Sequence, residues 1–156
     1  MSTYFTYEDL VALKGLEKKK LTGVVYNYWQ NKTKPGEAFE FLDKLELKFS
    51  DGSHIVLSTT EDDNNPGIVV VRDFDFEKSR LMLLHEFGGK IDMRMEDLTQ
   101  NPLWTPAIGK TLAVVGLVDD GEQSYRNDAI MLDFGDEKLE IHPAFEGLMV
   151  EPYEEV

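Results

Sequence analysis

The sequence predicts an α+β protein that is rich in antiparallel β-strands and built as two similar β-meander halves. Short segments in which apolar and polar residues alternate recur along its 156 residues between turn signals, which is typical of half-buried antiparallel strands. Two of these segments, DKLELKFSD at 43–51 and DAIMLDFGD at 128–136, share four identical residues at an offset of 85. Capped apolar stretches predict only short helices.

Length and composition favour a single domain. A hydrophobic fraction of 42% with nine phenylalanines supplies a core, whereas two independent domains of half this length would bury too little surface to be stable. We therefore expect one domain over residues 1–156, with similar halves at about 6–72 and 100–153. Residues 73–99 would join the halves as a helix followed by a strand.

The first half begins with a helix and continues as a meander. Thr6 is placed to cap a helix, with Asp9 in the capping-box position, so we expect a helix at Tyr7–Lys14. Alternation and β-branched or aromatic content then predict four strands at Thr22–Gln30, Phe39–Phe49, His54–Thr59 and Ile68–Arg72. The first of these strands is apolar on both faces, which predicts a central position in the sheet.

The joining segment contains the second predicted helix. Asp75 can cap a helix that ends at Gly88–Gly89, a strong stop signal. Leu81, Leu84 and Phe87 make the apolar side of this helix. The pattern is that of an amphipathic helix packed on a sheet.

Five further strands are predicted at Lys90–Glu96, Lys110–Val118, Asp128–Phe134, Lys138–His142 and Gly147–Val150. Between the first two, Pro102 opens a short helical turn in which Trp104 packs inward. The Lys110–Val118 strand is apolar on both faces, as Thr22–Gln30 is, which predicts the same environment for both.

The offset between matching segments changes along the chain, and this change locates a candidate site. It falls from 90 through 85 to 80, so the first half has about five extra residues in each of two loops, 27–38 and 58–66. Both loops lie at one end of a meander, and loops on a rigid sheet commonly carry binding groups. The candidate ligand-binding residues are Tyr28, Trp29, Lys32, Lys34, Glu61 and Asp63.

Two simpler interpretations stay open. The extra loop residues are also what ordinary drift produces, since insertions in surface loops cost little stability. The matching segments are also what two unrelated amphipathic hairpins look like. Asp43 and Asp128, which match across the repeat, face a cleft between the halves in one interpretation and occupy β-bulges with local hydrogen bonds in the other.

Charge is unevenly distributed. The chain carries a net charge of −14, and residues 119–156 hold twelve acidic residues against Arg126 and Lys138. Such a surface repels nucleic acid and anionic membranes and attracts a basic protein. The predicted partner-binding face consists of Glu122, Asp133, Glu140, Glu151, Glu154 and Glu155. Solubility alone is the competing explanation, because acidic surfaces keep small proteins apart.

Nucleophilic catalysis and metal binding have little support in the sequence. There is no Gly-x-Ser-x-Gly motif, and His54, His85 and His142 are isolated from one another. The oxygen-rich loop 61–65 lacks the ligand spacing and central glycine of an EF-hand. Gly88–Gly89 follows a helix rather than opening one, which is the wrong order for a phosphate site. We therefore predict no catalytic residue, no metal, no cofactor and no enzymatic activity.

The remaining signals concern compartment and function. The chain has no cysteine, no basic start followed by an apolar run, and no apolar stretch long enough for a membrane span, so we expect a cytoplasmic protein. The leading functional hypothesis is a non-catalytic module that regulates or inhibits a basic protein. In size and acidic composition the chain is similar to bacterial immunity proteins that neutralise basic toxins. The alternative is a small-molecule-binding domain that uses the loops of the first half.

Overall fold

A computed structural model describes residues 4–33, 36, 39–60, 66–122, 124–144 and 146–154. The helices are α1 (Tyr7–Lys14) and α2 (Phe76–Phe87). The strands are β1 (Leu21–Asn31), β2 (Phe39–Phe49), β3 (His54–Thr59), β4 (Ile68–Val71), β5 (Ile91–Asp97), β6 (Val114–Asp119), β7 (Tyr125–Asp133), β8 (Lys138–Pro143) and β9 (Leu148–Pro152). All strand pairs are antiparallel, so the predicted β-rich, antiparallel α+β class is confirmed.

Both helices begin and end where the sequence predicts. Thr6 Oγ1 accepts a hydrogen bond from the Asp9 backbone N–H at 3.1 Å, and Asp75 accepts one from the Lys78 N–H at 3.1 Å. These caps satisfy backbone donors that have no partner inside the helix. Gly88 ends α2 in the left-handed conformation, with φ of 59°, which glycine adopts without strain.

The apolar side predicted for α2 is wrong. The helix buries Leu83, whereas Leu81, Met82, Leu84 and Phe87 are exposed. A helix of twelve residues that packs against a sheet through one face buries only the side chains directed at that face. Leu81, Met82 and Leu84 lie at other positions around the helix than Leu83. Phe87 lies one turn after Leu83, but it is the last residue of the helix and is 37% exposed.

The long strand β2 connects the two parts of the sheet. It pairs with β1 along almost its whole length, and on its other edge it pairs with β3 and, through Leu42, with Leu148 of β9. The sheet order is β4-β3-β2-β9-β8-β7-β6, with β1 beside β2 and β5 beside β1. The central position predicted for β1 is confirmed, since it has a neighbour on both edges and buries both Val24 and Val25.

Strand β6 does not share the environment of β1. Among the described strands it pairs with β7 alone, so it lies at an edge of the sheet. Val115 is fully buried, but Val114 and Val118 are 42% and 43% exposed. The prediction that both faces of this segment are covered is therefore wrong, because no described helix or strand corresponding to α2 and β5 lies on it.

The segment before β6 forms hydrogen-bonded turns rather than the predicted short helix. Its Trp104 side chain is fully buried, as expected, and the indole Nε1–H donates to the Tyr26 hydroxyl at 2.8 Å. Burial of the Tyr26 side chain raises the pKa of its hydroxyl to about 12, although the hydrogen bond from Trp104 opposes the shift.

The beginning of β1 and the residues before β6 lie side by side. Leu21 N donates to Lys110 O and Gly109 N donates to Leu21 O, at 3.0 and 2.8 Å. Leu112 N donates to Lys19 O and Lys18 N donates to Leu112 O, at 2.8 and 2.7 Å. Leu21 and Leu112 are both fully buried. These four hydrogen bonds hold the two segments together beside the two buried leucines.

One face of the sheet, which we call the inner face, encloses that core. Its fully or almost fully buried strand residues are Val24, Leu45, Leu47, Ile55, Leu57, Ile68, Val115, Ile130, Leu132, Leu139, Ile141 and Leu148. Because successive side chains of a strand point to opposite faces, the neighbours of these residues lie on the other, outer face. The candidate site lies on that outer face.

Candidate interaction surface

The outer face of β6–β9 carries exposed apolar residues interspersed with acidic ones. Val114, Val118 and Met149 alternate with core residues, and 42 to 44% of each side chain is exposed. Met131 lies between them on β7, opposite Gly116 of β6. A Cβ atom on Gly116 would lie 2.8 Å from Met131 Cε, so the glycine leaves room for the methionine to lie across the strand.

Acidic residues and a histidine continue this face on β8 and β9. Glu140 is the cross-strand partner of both Met131 and Glu151. His142 Nε2 lies 2.8 Å from Glu151 Oε1, and its Nδ1 lies 3.1 Å from the Pro143 carbonyl oxygen. Partial burial disfavours the charged ring. The hydrogen bonds and the charges of Glu151 and Glu140 outweigh burial and raise the pKa of His142 above its ordinary value.

The outer face of β1 and β3, in contrast, carries buried side chains. Val25 of β1 and Val56 of β3 point outward, yet they are 6% and 4% exposed. They belong to a second set of buried side chains outside the main core, together with Leu83 of α2 and Met93 of β5. The helix α2 packs on β5, where its Leu83 lies beside Trp29, Lys44 and Met93, and so covers part of this side of the sheet. The described residues provide no such cover over β6–β9.

The structure brings three of the predicted acidic residues together on this face. Asp133, Glu140 and Glu151 all alternate with core residues on β7, β8 and β9. Glu122 lies in the turn that precedes β7, at the opposite end of that strand from Asp133. Glu154 is exposed beyond the end of β9. Glu155 lies outside the described residues.

The predicted ligand-binding residues are only partly assembled. Trp29 lines a cavity of about 400 Å³ with Phe41, Asp43 and Lys44. Tyr28 points to the opposite face of β1, where its ring lies 4.3 Å from the guanidinium of Arg94. The cavity thus contains only one of the two aromatic residues that the sequence placed in it.

The other predicted loop residues do not reach this cavity in the part of the chain that the structure describes. Lys32 lies in a separate, smaller depression beside Gln30 and Glu40. Lys34, Glu61 and Asp63 lie outside the described residues. Thr60 and Pro66, which border the second loop, do line the cavity, as expected for two loops at one end of a meander.

Asp43 and Asp128 each sit at a break in a strand ladder. The β1–β2 register shifts beside Asp43, and the β6–β7 register shifts in the region of Asp128. Asp43 Oδ2 accepts from Lys44 Nζ at 2.5 Å, and Asp128 Oδ2 accepts from Arg126 Nε at 3.0 Å. The local pairing fits the interpretation as bulge residues.

Sequence reasoning missed the apolar residues Val114, Val118 and Met149 and the imidazole of His142 as parts of a surface. Strand alternation places each of them opposite the core, which is a usable signal. It does not say whether a second layer covers that side. Net charge therefore identified the acidic residues of the face and left its exposed apolar residues unassigned.

Comparison with protein-family models, curated proteins and solved structures found no match for this chain. Within the described residues, neither helix has the length and apolar character needed to cross a membrane.

Proposed function

We propose that this chain is a non-catalytic protein-interaction module that binds a basic protein partner on the outer face of β6–β9. One observation carries the proposal: Val114, Val118 and Met149 are exposed on a single open sheet face that also presents Asp133, Glu140 and Glu151. Apolar and charged residues exposed together on an uncovered sheet face offer contact area to a protein partner.

The charge of this part of the chain selects the partner. Residues 119–156 carry twelve acidic residues against two basic ones, so a positively charged protein would be steered to the face and an acidic one repelled. The exposed apolar residues would supply the affinity after the encounter, since burial of apolar area is the main favourable term in association. Regulation or inhibition of the partner would follow from occupation of its basic surface.

Affinity capture from the source cells tests the proposal. The wild-type chain, immobilised in the presence of EDTA, is expected to retain a basic protein at about 50 mM NaCl and to release most of it at about 500 mM, because salt screens the attraction. The double variant Val114→Ser/Met149→Ser is expected to capture at least tenfold less of this protein at equal loading. Quantitative mass spectrometry of the eluates measures both effects.

The matched control changes apolar residues of α2 that are at least as exposed. Leu81→Ser/Leu84→Ser removes the same kind of surface from a different place and is expected to capture the partner as the wild type does. Equal capture by wild type and the Val114/Met149 variant, or capture that does not respond to salt, would rule the proposal out.

The cavity beside Trp29 favours a second candidate function, the binding of a small molecule. Trp29 and Phe41 supply an aromatic wall with ring centroids 5.9 Å apart, and the Asp43–Lys44 pair supplies charge of both signs. A volume of about 400 Å³ falls in the range of ligand sites. The thermal stability of the wild type would be screened against metabolites. A hit is expected to be weakened by Trp29→Phe and retained by Tyr28→Phe, and a flat screen would argue against this function.

We also propose that the two halves are copies of one unit. Support comes from two hydrogen bonds that join them, Leu21 N to Lys110 O and Leu112 N to Lys19 O. A shift of 91 residues converts each of these bonds into the other. The ladders agree, since Val24 pairs with Leu47 and Val115 pairs with Leu132. In this register the offset between the matching strands β1 and β6 is 91 residues, rather than the 90 taken from the sequence. The offset of 80 for the last strand is unchanged.

Under this proposal, the segment 73–99 is what distinguishes the copies. It contributes α2 and β5 to the first half, where β5 pairs with the edge of β1 and Leu83 of α2 packs near Trp29 and Met93. The second half has no described counterpart, and its face is the one that we assign to the partner. The functional surface would thus be the position at which the copies differ.

A further inference from the structure

We propose that Glu140, His142 and Glu151 form a binding site for one divalent transition-metal ion of the zinc class. The three side chains lie on the outer face of β8 and β9, and their ligand atoms all lie within 4.8 Å of one another. One imidazole nitrogen and two carboxylates are a donor set that zinc accepts. The proposal does not rest on a basic partner, because metal binding is measured on the protein alone.

The strand geometry brings the three ligands to one point. Glu140 and His142 are two residues apart on β8 and therefore lie on the same face. Glu151 is the cross-strand partner of Glu140 on β9. Zinc binds nitrogen and carboxylate oxygen at about 2.0–2.2 Å, so side-chain rotations alone would bring these atoms around one ion. Both strands belong to the rigid sheet, which holds the ligands in place.

The hydrogen bonds of His142 are also compatible with a metal ligand. Both of its ring nitrogens face acceptors: Nδ1 lies 3.1 Å from the Pro143 carbonyl oxygen and Nε2 lies 2.8 Å from a carboxylate oxygen of Glu151. A neutral imidazole has one N–H and satisfies only one of these contacts. An Nδ1–H bonded to a backbone carbonyl is the arrangement that orients metal-bound histidines and directs the Nε2 lone pair to the ion.

The two carboxylates also favour a cation. Glu140 and Glu151 are directly opposite each other on adjacent strands, and like charges in such a pair destabilise a sheet. A divalent ion between them would remove this repulsion. Three protein ligands would leave one position of a tetrahedral zinc ion for water or for a group from another molecule.

Isothermal titration of the full-length, metal-free protein with zinc chloride tests the proposal. The wild type is expected to bind one equivalent in a saturable step. Glu140→Gln, His142→Gln and Glu151→Gln are each expected to weaken binding at least tenfold. Asp133→Asn and Glu154→Gln remove one negative charge each without touching the three ligands, and they are expected to leave the affinity within about twofold.

A second measurement needs no substitution. In the wild type, zinc is expected to shift the ¹⁵N resonance of His142 Nε2 strongly while those of His54 and His85 stay in place. Binding of several equivalents that weakens equally in all five variants would mean nonspecific condensation on an acidic surface and would overturn the proposal. No saturable binding, with Nε2 titrating only as a proton site, would mean an imidazolium–carboxylate pair and would overturn it as well.

Discussion

Replacing Gly147 with alanine is expected to lower the free energy of unfolding by about 3 kcal/mol, through backbone strain and overlap together. Gly147 has φ of 70°, and a Cβ atom there would lie 2.1 Å from the Leu42 carbonyl oxygen and 2.8 Å from Phe41 Cδ2. Leu42 is the residue of β2 that pairs with β9. The methyl group would thus push β2 and β9 apart, and urea unfolding followed by circular dichroism measures the loss.

Gly52→Ala is the matched control. Gly52 has φ of 86° in the β2–β3 turn, and nothing lies within 4 Å of a Cβ atom built there. Alanine at this position adds strain in the left-handed region without overlap, so we expect a loss of about 1 kcal/mol. Equal losses in the two variants would contradict the argument that the close approach at Gly147 is what matters.

Gly67→Ala extends the experiment to the proposed duplication. A Cβ atom at Gly67 would lie 2.3 Å from Asn127 Nδ2, and Asn127 is buried. The 80-residue shift relates Gly67 to Gly147, and the 85-residue shift relates Leu42 to Asn127. We expect a loss of about 1–3 kcal/mol from overpacking. A neutral Gly67→Ala variant would count against the two glycines having the same structural role.

Local chemistry made much of this fold predictable. The caps at Thr6 and Asp75 and the stop at Gly88 depend on residues close in sequence, and both helices have the expected bounds. The strands β2 and β3 also match, because alternation continues without interruption up to the SDGS turn. Such signals are independent of which strand becomes the neighbour of another.

Tertiary placement was not predictable in the same way. The segments that form β1 and β6 have the same apolar pattern, yet β1 gained β5 as a neighbour and α2 as a cover, whereas β6 became an edge strand. The apolar pattern of a segment indicates how apolar the strand is, but it does not indicate which elements pack against it. The apolar side of α2 failed for the same reason, since Leu81 and Leu84 have no described layer to pack against.

The candidate site was likewise predictable only in part. Asp133, Glu140 and Glu151 were predicted because net charge is a property of the sequence. Their alignment across β7, β8 and β9 depends on register, which the repeat only partly indicated. His142 looked isolated in sequence, because its partner Glu151 comes from the next strand, where it is the diagonal neighbour of His142.

Replacing Trp104 with alanine is expected to lower the free energy of unfolding by about 3–5 kcal/mol, the range for a large buried aromatic side chain. Trp104 is fully buried, and it meets the Tyr26 ring edge-on with centroids 6.4 Å apart. Its loss would leave a cavity and remove the donor to the Tyr26 hydroxyl. Trp29→Ala is the control, and it is expected to cost less because Trp29 is only partly buried and borders an existing cavity.

The same pair makes stability depend on alkaline pH. The pKa of Tyr26 is about 12 in the folded protein and about 10 in an unfolded chain, so above pH 10 the unfolded state releases its proton first. The contribution of the Tyr26 hydroxyl to the free energy of unfolding is therefore fully present below pH 10. It is lost as the pH rises towards 12, and the loss reaches up to about 3 kcal/mol. Tyr26→Phe removes the titrating hydroxyl, and its stability is expected to fall less over that interval. An identical decline in wild type and variant would mean that Tyr26 titrates normally in the folded protein.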